Sequence, residues 1–492
     1  MFTLLNVLFA FVMVGILLLV ARFIKQKIRL LQTLYLPESI IAGAIALVLG
    51  PGILGAIATS LGANADSAIA GGLFPVEMRT VWSQSPGVFI NIVFAALFLG
   101  ETIPNPRDIW RKTAPQVAFG QSLAWGQYTL GILLTLLVLS PLFGVNPIAG
   151  ALIEIAFEGG HGTAAGMADT MADLGFAEGG DLALGLATVG IVSAIFFGTV
   201  LAQWGRKKGY ISNEPSAVTQ GDAQFQSTTE VESSRVLAKR SALTNNLLID
   251  PLSLNFGFTG LAVVIGWLIL QFLTTVEALT WGRNGLELVG AVPLFPMALI
   301  GGIVIQLVAK RLDLDVLIMR SLQERIAGAA LDILVVTALA SINLAVLGAN
   351  LGVFLSLAIV GITWNVLAFI YIAPRILPVY WFERGIGDMG QSMGVTATGI
   401  LLIRMVDADN RTGAFESFAY KQLFFEPIVG GGLFTAAAPA LIARFGATTI
   451  LLVTTALLIF WLAFGIINCE RTKKKLSQES VPVRQAVGSS ID

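Results

Sequence analysis

The sequence predicts an all-α polytopic membrane protein of two inverted-topology repeats, each of about five transmembrane helices with a re-entrant hairpin loop, plus one extra C-terminal span. Three observations predict it. Of the 492 residues, 55% are hydrophobic and 12% charged, with a mean hydropathy of +0.81, a composition that suits a bilayer and not water. Apolar runs recur along the chain, and the basic residues between them fall on alternate sides. Two Gly-rich stretches, at 159–163 and 387–398, interrupt this rhythm at corresponding places in the two halves.

A helix needs about 20 apolar residues to cross the hydrocarbon core. Runs of that order lie at 3–21, 37–60, 87–102, 115–142 and 182–204, and again at 256–282, 291–309, 328–349, 352–373, 424–442 and 447–467. The first, Leu4 to Val20, lacks a leading basic region and a small-residue cleavage site, so it is read as a span and not a signal peptide. With the N-terminus outside and the C-terminus cytoplasmic, these eleven crossings put every Lys and Arg except Arg79, Arg283 and Arg444 on the inside, Lys421 included. Cytoplasmic loops collect such residues.

Five crossings precede the hydrophilic stretch 205–246, so the second half starts on the opposite side and is inverted. The expected units are an N-terminal repeat over 1–204, a cytoplasmic linker over 205–246, the inverted repeat over 247–445, and an extra span with a cytoplasmic tail over 446–492. Internal likeness agrees in order: Leu36 to Gly43 resembles Phe295 to Gly302, Asn91 matches Asp332, and Val189-Gly190 matches Val429-Gly430.

The run Ile148 to Phe157 covers only half a bilayer as a helix, which predicts a dip from outside. Gly160 and Gly162 let the tip turn and approach a ligand, and Thr163 is the expected N-cap of the returning helix. Glu154 and Glu158 are four apart and share a helical face, either as a cation site beside a substrate or as solvated residues in a vestibule. His161 stands at the tip as a contact or an ordering group. The second dip, entering from inside, adds Asp388, Gln391, Ser392, Gly394, Thr396 and Thr398. Broken helices expose carbonyls to cations and N-termini to anions, so opposed dips imply a secondary transporter with a midplane site. Sodium candidates are Glu158, Asp388, Asn91 and Asp332, the last near Thr337 and Ser341.

The net charge of −1 offers no basic surface for nucleic acid, and one cysteine, Cys469, with one histidine, His161, supports neither a disulfide framework nor a zinc site of Cys/His type. No nucleophile motif accompanies His161, so an enzyme is not expected.

Glu158-Gly159-Gly160-His161-Gly162-Thr163-Ala164-Ala165 resembles the glycine-histidine signature of the bacterial sodium/glutamate symporters. Gly387, Gly390, Gly394, Thr396 and Thr398 resemble its second signature, and Tyr35 to Gly43 a third. The sequence departs from that pattern at Glu158, Asp388, Ser392 and Ala397, where the family has Ser, His, Gly and Pro. The resemblance implies sodium-coupled uptake of L-glutamate by an elevator-like homodimer in the bacterial inner membrane, with sodium as the transported coupling ion. The two dips themselves give the expected substrate contacts: Gly160, His161, Gly162, Thr163, Gln391, Ser392, Gly394, Thr396 and Thr398. The extra acids leave two alternatives open, another organic anion or cation/proton exchange.

Overall fold

A computed structural model describes residues 3–33, 36–64, 67, 69–101, 106–211, 250–284, 289–408 and 410–479. The described residues are helical, with no strand among them. The helices that carry the argument are α1 (Leu4–Lys27), α2 (Glu38–Ser60), α3 (Val76–Ala96), α4 (Pro106–Leu134), α5 (Leu152–Phe157), α6 (Gly160–Gly166), α7 (Ala168–Asp173) and α8 (Gly179–Lys208). The second half supplies α9 (Pro251–Leu279), α10 (Leu294–Arg311), α11 (Arg320–Ala340), α12 (Leu351–Tyr371), α13 (Trp381–Val406), α14 (Ala414–Phe425), α15 (Leu433–Phe445) and α16 (Ala447–Glu479).

Among the described residues, eight helices are long and apolar enough to cross a membrane: α1, α2, α4, α8, α9, α10, α12 and α16. Helices α3 and α11 have 21 residues each, but polar and charged side chains interrupt their apolar runs, among them Arg320, Glu324, Arg325 and Asp332 in α11. One expected span is corrected. Over 424–442 there is no continuous helix: α14 stops at Phe425, the chain turns through Glu426–Gly432, and α15 has 13 residues. Pro427 and three successive glycines explain the break, and Gly430 and Gly431 adopt φ of 72° and 101°. The linker also starts later than expected, because α8 runs to Lys208 and is closed by Gly209; residues 212–246, with Arg235, Lys239 and Arg240, lie outside the described residues, as do Tyr35 and Arg484.

The helices pack as two bodies, each drawing on both halves of the chain. One holds α1, α2, α3, α9, α10 and α11; the other holds α4 to α8 and α12 to α16. Small residues bring the first body's helices together, as dispersion packing in a bilayer requires. A Cβ on Gly43 of α2 would lie 2.6 Å from Leu339 Cβ of α11, and one on Gly302 of α10 would lie 2.4 Å from the Ala95 carbonyl of α3. Gly43 and Gly302 occupy the same register in the internal likeness, and each lets its helix approach a 21-residue helix of the other half. Helix α9 buries 17% of its apolar window and presents Phe256, Trp267 and Phe272 outward, whereas α8 buries 61%. The second body contains both Gly-rich stretches.

Candidate functional site

Asn146 starts the first stretch by accepting the Ile148 amide at 3.0 Å, which caps a 3-10 turn at Pro147–Ala151. Helix α5 follows with all six residues buried, and the chain breaks at Glu158-Gly159. Gly160 has φ 68° and opens α6. The expected cap is corrected here: α6 begins three residues before Thr163, because the paired glycines turn the backbone first, and Thr163 sits inside the helix. Its hydroxyl is buried without a hydrogen-bond partner.

The second stretch is α13, interrupted at Gly394 (φ −149°, ψ 32°) and Val395 (φ 64°, ψ 171°). Positive φ on a β-branched residue is strained and costs roughly 1–3 kcal/mol. The two breaks meet. A Cβ on Gly160 would lie 2.2 Å from Val395 Cγ1, and one on Gly190 of α8 would lie 2.2 Å from the Met393 carbonyl. The Glu426–Gly432 break joins them, since a Cβ on Gly431 would lie 2.8 Å from the Thr163 hydroxyl.

Four carboxylates and one ammonium are buried around this meeting point. Glu154 accepts from the Tyr128 hydroxyl at 2.5 Å, the Thr435 hydroxyl at 2.8 Å and the Gly430 amide at 2.8 Å. Glu158 accepts from the Ser392 hydroxyl at 2.5 Å, and its other oxygen is buried without a partner. Thr396 donates to Glu426 at 3.0 Å. Asp388 meets Lys421 Nζ at 2.9 Å and Gln116 Nε2 at 2.8 Å, while Lys421 also donates to Gln391 Oε1 at 2.7 Å. Gln127 and Asn365 hold the frayed end of the first arm of α13 by donating to the Ser392 carbonyl at 2.6 and 3.2 Å. Thr398 closes onto the Gly394 carbonyl at 2.5 Å.

Lys421 is a second correction. The side-alternation reading counts it as a loop residue, yet it is fully buried and ion-paired. Its partner lies 33 residues upstream, and hydropathy averages over both. Sequence reasoning also passed over Tyr128, Gln116, Gln127, Asn365 and Thr435. A signal for the third break was available in Gly430-Gly431-Gly432 after Pro427, which repeats the make of the other tips.

Of the expected site residues, Glu158, Gly160, Asp388, Gln391, Ser392, Gly394, Thr396 and Thr398 come together at the two tips. His161 is turned toward α8, its Nε2 2.9 Å from the Thr188 hydroxyl. Gly162 faces Leu331 and Leu334 of the other body. Asn91 and Asp332 belong to that body. Asn91 donates to its own helix at Gly87 and Val88, 2.7 and 3.2 Å, and Asp332 accepts from Ser39. Among the described residues no three Asp, Glu, His or Cys side chains converge on one metal position.

No curated protein sequence matches this chain. A protein-family model does: that of the sodium/glutamate symporter matches residues 111–406, more than half of the chain, from α4 through both tips to the end of α13. A sequence signature at each tip and the family match over both tips agree, and the chain belongs to the sodium/glutamate symporter family.

Proposed function

We propose that the protein takes up L-glutamate together with sodium by alternating access, in the inner membrane of a bacterium, as a homodimer. The observation that carries this reading is the meeting of the two tips, which brings a carboxylate with a bare oxygen, Glu158, beside hydroxyls and helix breaks from the other half of the chain. A bare buried carboxylate oxygen is costly, and a sodium ion placed against it removes the cost. The substrate carboxylates then meet the backbone amides and hydroxyls of Gly160, His161, Gly162, Thr163, Gln391, Ser392, Gly394, Thr396 and Thr398. Each ligand raises the affinity of the other, as reciprocal coupling requires.

In this reading the second body is the moving carrier and the first the fixed scaffold. The Gly162 and Gly166 face of α6 is their sliding surface, since Gly166 packs on Ile90 and Gly162 on α11. Asn91 and Asp332 border that surface from the scaffold side and contact sodium along its path. Pro147–Phe157 and the two arms of α13 are re-entrant hairpins, and residues 1–204 and 247–445 are inverted repeats; the twofold use of Gly43 and Gly302 supports this.

The test is uptake of labelled L-glutamate into liposomes holding the purified protein, with and without an inward sodium gradient, against L-aspartate and 2-oxoglutarate as competitors. Saturable, gradient-dependent accumulation blocked by unlabelled glutamate is expected. Accumulation driven by sodium but blocked only by another organic anion moves the substrate, and no accumulation in folded protein overturns the reading.

A further inference from the structure

Lys421 is enclosed by a set of groups that fits a monovalent cation. Asp388 and Gln391 are three apart on α13 and share a face; they give a carboxylate oxygen at 2.9 Å and an amide oxygen at 2.7 Å. On α14, Phe418 and Phe425 flank Lys421 by three and four residues, with ring centroids 4.9 and 4.2 Å from Nζ, near enough for cation–π attraction. Helix α4 completes the enclosure. Gln116 fills the other Asp388 oxygen, and Gly120 makes room for the lysine stem, since a Cβ there would lie 3.1 Å from both Cδ and Nζ. The two partners' side chains are 1% and 0% exposed.

Such a pair is poorly explained as a fold stabiliser. Desolvating two charges offsets most of their attraction, and apolar residues of like volume do as well or better. The first tip shows what the second lacks: Glu158 has one hydroxyl partner, one bare oxygen and no ammonium bonded to it, whereas both oxygens of Asp388 are filled by the protein itself. We propose that Lys421 is a tethered cation that fills the place beside Asp388 which a sodium ion from solution would otherwise take, so that the second tip enters each cycle already neutralised. Sodium coupling then runs through the first tip. This rests on the proposed sodium coupling for its meaning in the cycle, but its test does not use transport.

The test is thermal unfolding of the purified full-length protein titrated with sodium chloride, using N-methyl-D-glucamine chloride to hold ionic strength. Three chains are compared: wild type, K421A, and D388N/K421M, which removes both charges. K421A is expected to show a sodium-dependent rise in Tm about twice that of wild type, because the emptied cage becomes an additional sodium site. D388N/K421M is expected to lack the added rise. A K421A chain that folds only in sodium supports the proposal equally. It is overturned if K421A follows the wild-type curve, if D388N/K421M gains the same added rise, or if K421A stays unfolded at every sodium concentration while D388N/K421M folds. Absence of glutamate uptake by wild type would sink the proposed substrate and leave this comparison to decide the cation.

Discussion

The two tips solve one problem, a buried acid at a helix break, in different ways. At the first, Glu154 is satisfied by neutral donors, a phenol, an alcohol and an amide, and Glu158 is left half bare. At the second, Asp388 is met by a full positive charge. The backbone differs as well: the first turn rests on Gly160 at φ 68°, whereas the second forces Val395 to φ 64°. Glycine occupies that region freely and valine does not. Strain and fixed charge are thus gathered at one tip, and an unfilled acceptor at the other.

The largest effect that tests this contrast is K421M. It leaves Asp388 buried and unpaired, which costs about 3–5 kcal/mol when one partner of a buried pair is removed. A fall in apparent Tm is expected, mostly recovered in D388N/K421M; a K421M chain as stable as wild type would mean the pair contributes nothing. Next is Gly160→Ala, which adds a methyl group against Val395 at a positive φ and should cost about 2–3 kcal/mol. Val395→Gly in the same chain removes both the colliding methyl and the strained residue. Recovery of Tm in the double variant is expected, and its absence would separate the two tips.

Tyr128→Phe is smaller. Glu154 keeps two of its three donors, and loss of one hydrogen bond should cost about 0.5–1.5 kcal/mol, visible in Tm. Glu158 should be unaffected, so sodium dependence of uptake is expected to hold; a shifted sodium curve would join the two acids into one site. The smallest loss of stability belongs to Thr163→Val, which should leave Tm unchanged or raise it, because the buried hydroxyl has no partner to lose. Any fall in glutamate uptake by that folded variant then reports a contact with the cargo, while unchanged uptake and KM remove Thr163 from the site.

Much of the site was legible because its signals are local. Short apolar arms beside Gly-Gly-His-Gly-Thr announce a break, and Ser392, Thr396 and Thr398 stand out in an apolar chain. What was misread depended on distant partners. Thr163 looked like a cap because its type favours caps, but Gly159-Gly160 upstream turned the chain first. Lys421 looked like a cytoplasmic charge because side alternation counts every basic residue and cannot see Asp388. The break after α14 was hidden since Ile428, Val429 and the glycines raise the hydropathy average without extending a helix.

The sequence by itself determined that this chain is a helical membrane protein, that its backbone breaks at the two Gly-rich tips, and which residues at those tips are polar. Hydropathy, helix length and glycine freedom are properties of short windows, so they are written in order along the chain. Only the tertiary structure decided that the first three helices of each half pack into one body and the rest into another, that the tips touch through Gly160 and Val395, and which acid receives the ammonium. Those outcomes depend on electrostatic pairing and close packing between residues far apart in the chain. A buried charge takes the partner that geometry brings within about 3 Å, whatever its place in the sequence.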